Sequence, residues 1–97
     1  MDKQFKNAYL AFLDKWGVEM QSIMAIEEMS ELAKALCKLK RCQELGGNNA
    51  EALKNLKEEI ADVMNMAEQL AIVYGEEEIQ EIRKQKIERT LNKIKGK

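Results

Sequence analysis

An all-α architecture is expected for this chain of 97 residues, and three observations lead there. The chain has no proline. It is rich in Ala, Glu, Lys, Leu, Met and Ile, a composition that favours helix. Its apolar residues recur at helical spacing, broken only where glycine or asparagine intervenes. Composition is 45% apolar and 34% charged.

Four helices are predicted. The first runs from about Lys3 to Lys15, where Phe5, Tyr9, Phe12, Leu13 and Trp16 form a stripe. Gly17 breaks it. The second runs from about Glu19 to Glu44. The clearest turn is Leu45 to Asn49, "LGGNN", on its glycine and asparagine chemistry. The third helix runs from about Ala50 to Tyr74 and is closed by Gly75 as a C-cap. The fourth begins near Glu76 with acids in its first turn and continues to about Ile94, its stripe being Ile79, Ile82, Ile87, Leu91 and Ile94. It ends in cations, as the helix dipole favours.

Residues 1–97 read as one domain. A lone core of this size is marginal, so a homo-oligomer, dimer or tetramer, is expected. The second and third helices, joined by a short turn, should pair as an antiparallel hairpin and assemble into an oligomeric helical bundle. A net charge of −1 gives the whole chain no nucleic-acid signature. The N-terminal stretch is too broken by charge for a signal peptide, and no apolar run approaches membrane length. Cys37 and Cys42 lie about 140° apart on the second helix and cannot pair there. Free thiols suit a cytoplasmic protein. The absence of histidine excludes His-based catalysis, His-ligated zinc and the Glu-x-x-His di-iron motif.

Two stretches repeat one form: "IEEMSEL" (Ile26 to Leu32) and "KEEIADV" (Lys57 to Val63). Each has two acids, two spacers and a third acid. With Glu28 as origin and about 100° per residue, Leu39, Leu32 and Ala35 fall within about 40° of it, inside the apolar arc. Glu31 falls at about −60° and Glu27 at about −100°, on the polar side. With Glu59 as origin, Leu70, Val63 and Met66 take the same places, and Asp62 falls at about −60°. With the turn centred near Gly47, Glu31 comes opposite Asp62 and Glu28 comes near Glu59, to within about a turn.

A bare carboxylate on a packed face is costly, and four together repel. Either counter-charges lie there, or the acids line an open cleft that holds a cation. Four all-oxygen ligands from paired i, i+3 positions suit a hard divalent ion, Mg²⁺ or Mn²⁺. A single Glu-x-x-Glu is usually a solvated face paired with lysines. Two copies at matching angles across a hairpin favour the metal.

The motif Glu27-Glu28-x-x-Glu31 followed by Glu59-x-x-Asp62 resembles the signature of the MazG-like, all-α nucleoside triphosphate pyrophosphohydrolases. The resemblance covers roughly residues 16 to 91, and the two acidic motifs are its specific part. It implies an all-α fold, a Mg²⁺ site, a homo-oligomer, and cleavage of NTP or dNTP to NMP or dNMP plus pyrophosphate. It also implies Glu28, Glu31, Glu59 and Asp62 as metal ligands. The chain lacks the histidine-containing basic segment of longer MazG proteins, so their substrate preference does not transfer.

The residues suit that chemistry on their own terms. Attack of water at an α-phosphorus needs an activated nucleophile and charge neutralisation on the triphosphate. Glu27 or Glu28 is the candidate base, and the sequence does not choose between them. Lys86, Arg89 and Lys93 share a face of the fourth helix at i, i+3, i+7, with Arg83 nearby. They can bind triphosphate, or form a solvated basic face. Asn65, a turn past Asp62, can contact sugar or phosphate, or be an ordinary polar surface residue. Trp16 is a candidate for stacking on a base, against the commoner use of tryptophan as a core or interface anchor. Gln21 is a weaker candidate for the same site. Two further readings compete with the enzyme: a non-catalytic helical interaction module of the same fold, and a nucleic-acid-binding C-terminal helix, the weaker of the two.

Overall fold

The computed structural model describes residues 1–96, and these form three helices with no strand among them: α1 (Lys3–Glu44), α2 (Ala50–Tyr74) and α3 (Glu76–Lys95). The all-α expectation holds, and three elements stand where four helices were expected, because the first two run on across a kink at the expected break, Gly17. Gly17 does leave helical geometry, at φ 86° and ψ 161°, a left-handed value that glycine adopts without Cβ strain. The chain changes direction within that one residue and resumes helix at once. The expected first and second helices therefore follow one another directly across the kink, with no connecting loop, and are labelled together as α1.

Asp2 starts α1 as an N-cap, accepting hydrogen bonds from the backbone N–H of Gln4 at 2.8 Å and Phe5 at 3.2 Å. The α1–α2 turn is tied at its far end by Asn48, whose Oδ1 accepts from the Ala50 N–H at 3.0 Å. Gly75, at φ 118°, is a joint of one residue. Its N–H closes α2 onto the Ala71 carbonyl at 3.0 Å, and its own carbonyl opens α3 by accepting from Ile79 N–H at 3.0 Å.

α1 and α2 lie antiparallel as a hairpin. Its dry core sits next to the turn, where Ala35, Leu39, Ala52 and Leu56 are buried together with Leu32 and Cys42 packed against them. Farther from the turn the interior becomes polar. Gln21 Nε2 donates to Gln69 Oε1 at 2.7 Å, and both residues are buried. Beyond the Gly17 kink, the first segment of α1 leans on the far half of α2. There the buried Tyr9 hydroxyl lies 2.8 Å from Asn65 Oδ1 and 2.9 Å from Glu68 Oε1. Lys6 reaches α3 through an ion pair with Glu76 at 2.9 Å.

α3 has no buried residue and packs on α2 through its start. The molecule is accordingly flat and open, with extents of 45 × 43 × 22 Å. No helix among the described residues is long and apolar enough to cross a membrane. Cys37 and Cys42 are free thiols.

Candidate metal centre

The Gln21–Gln69 bond fixes the register of the hairpin. Seven residues inward from Gln21 is Glu28, and seven inward from Gln69 is Asp62. The pairing expected from a turn centred near Gly47 was Glu31 with Asp62. The observed register is slipped by about one turn although α1 ends at Glu44 and α2 starts at Ala50, as expected, so the slip lies in how the two helices pack and not in where they end.

This register brings three carboxylates together. One oxygen from each of Glu28, Glu59 and Asp62 lies within 4.8 Å of the other two. Glu28 and Glu59 are half-buried between the helices, and Asp62 sits at the open edge. Glu31 does not join this group. It is exposed, and its Oε1 lies 3.7 Å from Lys34 Nζ on its own helix. Its angle of about −60° from Glu28 turns it to the rim once Asp62 has taken the place opposite Glu28. Glu27 and Glu58 are exposed and also lie outside the group.

The electrostatics are one-sided. The Glu28 carboxyl is held above its ordinary range, first by a hydrogen bond shared with Asp62, which requires a proton between the two groups. Partial burial and the charges of Asp62, Glu59 and Glu31 add to this. Glu59 is raised too, first by desolvation, then by Asp62, Glu31 and Glu58. Among the described residues, every charge that shifts these two groups is another carboxylate. Of the two arrangements open to such a cluster, internal counter-charges are therefore not the one found. Glu59 is half-buried as a residue, yet its Oε2 is sealed from solvent and has no hydrogen-bond partner. A buried acceptor with no donor is costly, and a cation relieves it. The donor set is all oxygen, which fits a hard ion such as Mg²⁺ or Mn²⁺.

The other candidates are placed elsewhere. Asn65 is engaged by Tyr9, so its amide oxygen serves the crossing of α1 on α2. Trp16 is no core anchor within the chain: it is half exposed and leans on Phe12, with ring centroids 5.8 Å apart. Lys86, Arg89 and Lys93 are exposed along α3 and form no ion pair among the described residues. An open cleft of about 750 Å³ lies away from the acids. It lies between the start of α1, α2 and α3, with Lys6, Glu76 and Arg83 on its rim.

Sequence reasoning gave too little weight to the glutamine pair and to Tyr9. Gln21 precedes Glu28 by seven residues, about 20° around the helix, and so shares its inward face. That placement is the available signal for a buried polar partner. Nothing comparable marks the contact of Tyr9 with Glu68, which depends on the bend at Gly17. Compared with known proteins, the chain matches no family model, no curated protein and no solved structure. The resemblance drawn above therefore rests on the acidic motifs themselves.

Proposed function

We propose that the protein is a Mg²⁺-dependent nucleotide pyrophosphohydrolase that cleaves NTP or dNTP to NMP or dNMP plus pyrophosphate. The observation that carries this reading is the cluster of Glu28, Glu59 and Asp62, drawn together with no ion pair to a cation among the described residues and with a sealed, unpartnered Glu59 Oε2. Those three residues would hold the ion, with Glu31 at the margin. A bound Mg²⁺, or Mn²⁺ in its place, supplies Lewis acidity and neutralises phosphate charge.

The remaining work falls to side chains. Glu28, whose proton affinity is raised, is suited to taking a proton from an attacking water. Glu27 is the other candidate base, and it can reach the site only from its border. Lys86, Arg89 and Lys93 are the free cations assigned to the triphosphate, as phosphoryl chemistry requires. Trp16, exposed, is available to stack on a base. The free thiols accord with a cytoplasmic setting. A homo-oligomer built on the α1–α2 hairpin belongs to the same reading.

The test is pyrophosphate release from a panel of NTPs and dNTPs, with Mg²⁺, with Mn²⁺ and with EDTA. Metal-dependent release from at least one nucleotide is expected, and release from none overturns the proposal. A second reading, a helical interaction module without catalysis, is favoured by the many large apolar residues left exposed on all three helices. The same panel separates the two.

A further inference from the structure

The glutamine pair of the hairpin is only half bonded. Two facing carboxamides can exchange two hydrogen bonds. Here Gln21 Nε2 donates to Gln69 Oε1, while Gln21 Oε1 and Gln69 Nε2 have no partner among the described residues. The two residues are 7% and 2% exposed. Yet neither free atom is sealed. Among the described residues that are not exposed, Glu59 Oε2 is the one unpartnered side-chain oxygen or nitrogen closed off from solvent. The pair therefore presents one acceptor and one donor at an opening in the hairpin, on side chains that packing has otherwise withdrawn from water. Leaving a buried amide pair half met is costly, and an apolar pair of similar volume would fill the space without that cost.

The pair stands on the line of the acids. Gln21 is seven residues from Glu28 and Gln69 seven from Asp62, so each glutamine lies about 20° around its helix from its acid and about 10.5 Å along it. Asp62 marks the open edge of the acid cluster, and Gln69 shares its side of α2. Between the two polar layers are Met24, 37% exposed, and the buried Ala25 and Met66.

We infer that the Gln21–Gln69 pair reads the base of the nucleotide whose phosphates meet the acid cluster, Gln69 Nε2 donating to the base edge and Gln21 Oε1 accepting from it. The inference deepens the pyrophosphohydrolase reading and rests on it. The chemistry of the free atoms selects the ligand. A phosphate group offers oxygens that accept, which leaves Gln21 Oε1 unmet, and a metal ion leaves Gln69 Nε2 unmet. The Watson–Crick edge of each nucleobase carries an acceptor beside a donor and answers both. The separation agrees: about 10.5 Å between the amide layer and the acid layer is a span that a nucleoside 5′-phosphate covers from base edge to α-phosphorus. The thioethers of Met24 and Met66 between the layers suit the flat face of a base and the carbon face of a sugar. A few placed polar groups in an apolar lining are the usual make-up of a small-molecule site.

Calorimetric titration in the presence of Mg²⁺ tests the inference on the full chain. The probes are the α,β-methylene analogues of ATP, GTP, CTP and UTP, whose bridging carbon resists cleavage, and ribose 5-triphosphate, which has sugar and phosphates but no base. The wild type should bind at least one analogue about 10-fold or more tighter than ribose 5-triphosphate. Gln69→Glu keeps an acceptor for Gln21 Nε2 and removes the free donor, and it should bring that preference below about 3-fold. Gln21→Met/Gln69→Met removes both free atoms and should also abolish the preference, with helical circular dichroism retained; it decides the matter if Gln69→Glu does not fold. A merely structural role would weaken both kinds of ligand together and leave their ratio unchanged. A wild type that binds no analogue, or binds ribose 5-triphosphate as tightly, overturns the inference, as does a double variant that keeps the full preference. Pyrophosphate release without base preference sinks this inference and leaves the pyrophosphohydrolase reading standing. Base preference without release does the reverse.

Discussion

Gln21 and Gln69 face each other across the hairpin, joined by a 2.7 Å hydrogen bond inside a protein that buries almost no other polar side chain. The bond does two things. It pairs one N–H of Gln21 with the amide oxygen of Gln69 where both are withdrawn from water, and it shares the register that sets Glu28 opposite Asp62.

Breaking one side of that pair should cost more than replacing both. Gln69→Met leaves the Gln21 amide buried without its acceptor, a loss of about 1–3 kcal/mol. The double variant Gln21→Met/Gln69→Met, close in volume and apolar, should recover most of it. Urea denaturation of the two singles and the double measures the coupling. Additive losses would show that the bond contributes nothing specific.

The acid cluster should make the metal-free protein less stable as pH rises. Glu28 and Glu59 have folded-state values above their ordinary 4.5, so between that value and the raised ones the folded chain binds more protons than the unfolded chain. Stability is then fullest below about pH 4.5 as far as these groups are concerned, and is lost as pH rises through the raised values. Thermal melts in EDTA from pH 5 to 8 should fall with pH. Millimolar Mg²⁺ should raise the melting temperature most at the upper end, where the carboxylates are free to bind it. Glu59→Gln should flatten the pH response and weaken the Mg²⁺ response. Equal melting temperatures with EDTA and with Mg²⁺ at pH 8 would count against the site.

Pyrophosphate release should rank the acids by their place in the structure. Glu28→Gln, Glu59→Gln and Asp62→Asn should each lose about 100-fold or more in kcat, because each removes a member of the clustered set. Glu31→Gln, at the rim, should lose less. Glu58→Gln should be nearly silent. A large loss in Glu27→Gln, with circular dichroism unchanged, would assign it the proton-accepting role. Wild-type turnover in all three clustered variants would remove the enzyme reading.

Tyr9 should ionise only at high pH. Burial, then its hydrogen bond to Glu68, then the charges of Glu68 and Asp2, push its hydroxyl up to about 12. The folded state holds this proton more tightly than the unfolded state, so its contribution is complete below pH 10 and is lost as pH rises through about 12. Ultraviolet titration should contain a step near 12 that disappears in Tyr9→Phe. That variant should lose about 0.5–1.5 kcal/mol in neutral buffer.

Much of the architecture is legible in the chain because it depends on local chemistry. Absent proline, helical periodicity and the glycines at 17, 46, 47 and 75 determine where helix can form and where it must bend or stop. The acids at Glu28 and Glu59 are legible too, since a charge within an apolar arc is a matter of angle alone. What sequence could not decide is everything that needs two elements in contact. The slip of about one turn that exchanges Glu31 for Glu28 opposite Asp62 lies in how the two helices pack, in the register that the Gln21–Gln69 bond shares. A shift of three or four residues leaves every helical stripe unchanged, so periodicity is blind to it. The same holds for Gly17, which announced a break between two helical segments but not the direction of the bend that carries Tyr9 onto Asn65 and Glu68. Local residues set each helix and its faces; only packing decided which acids meet, since a distance between helices is not a property of either one.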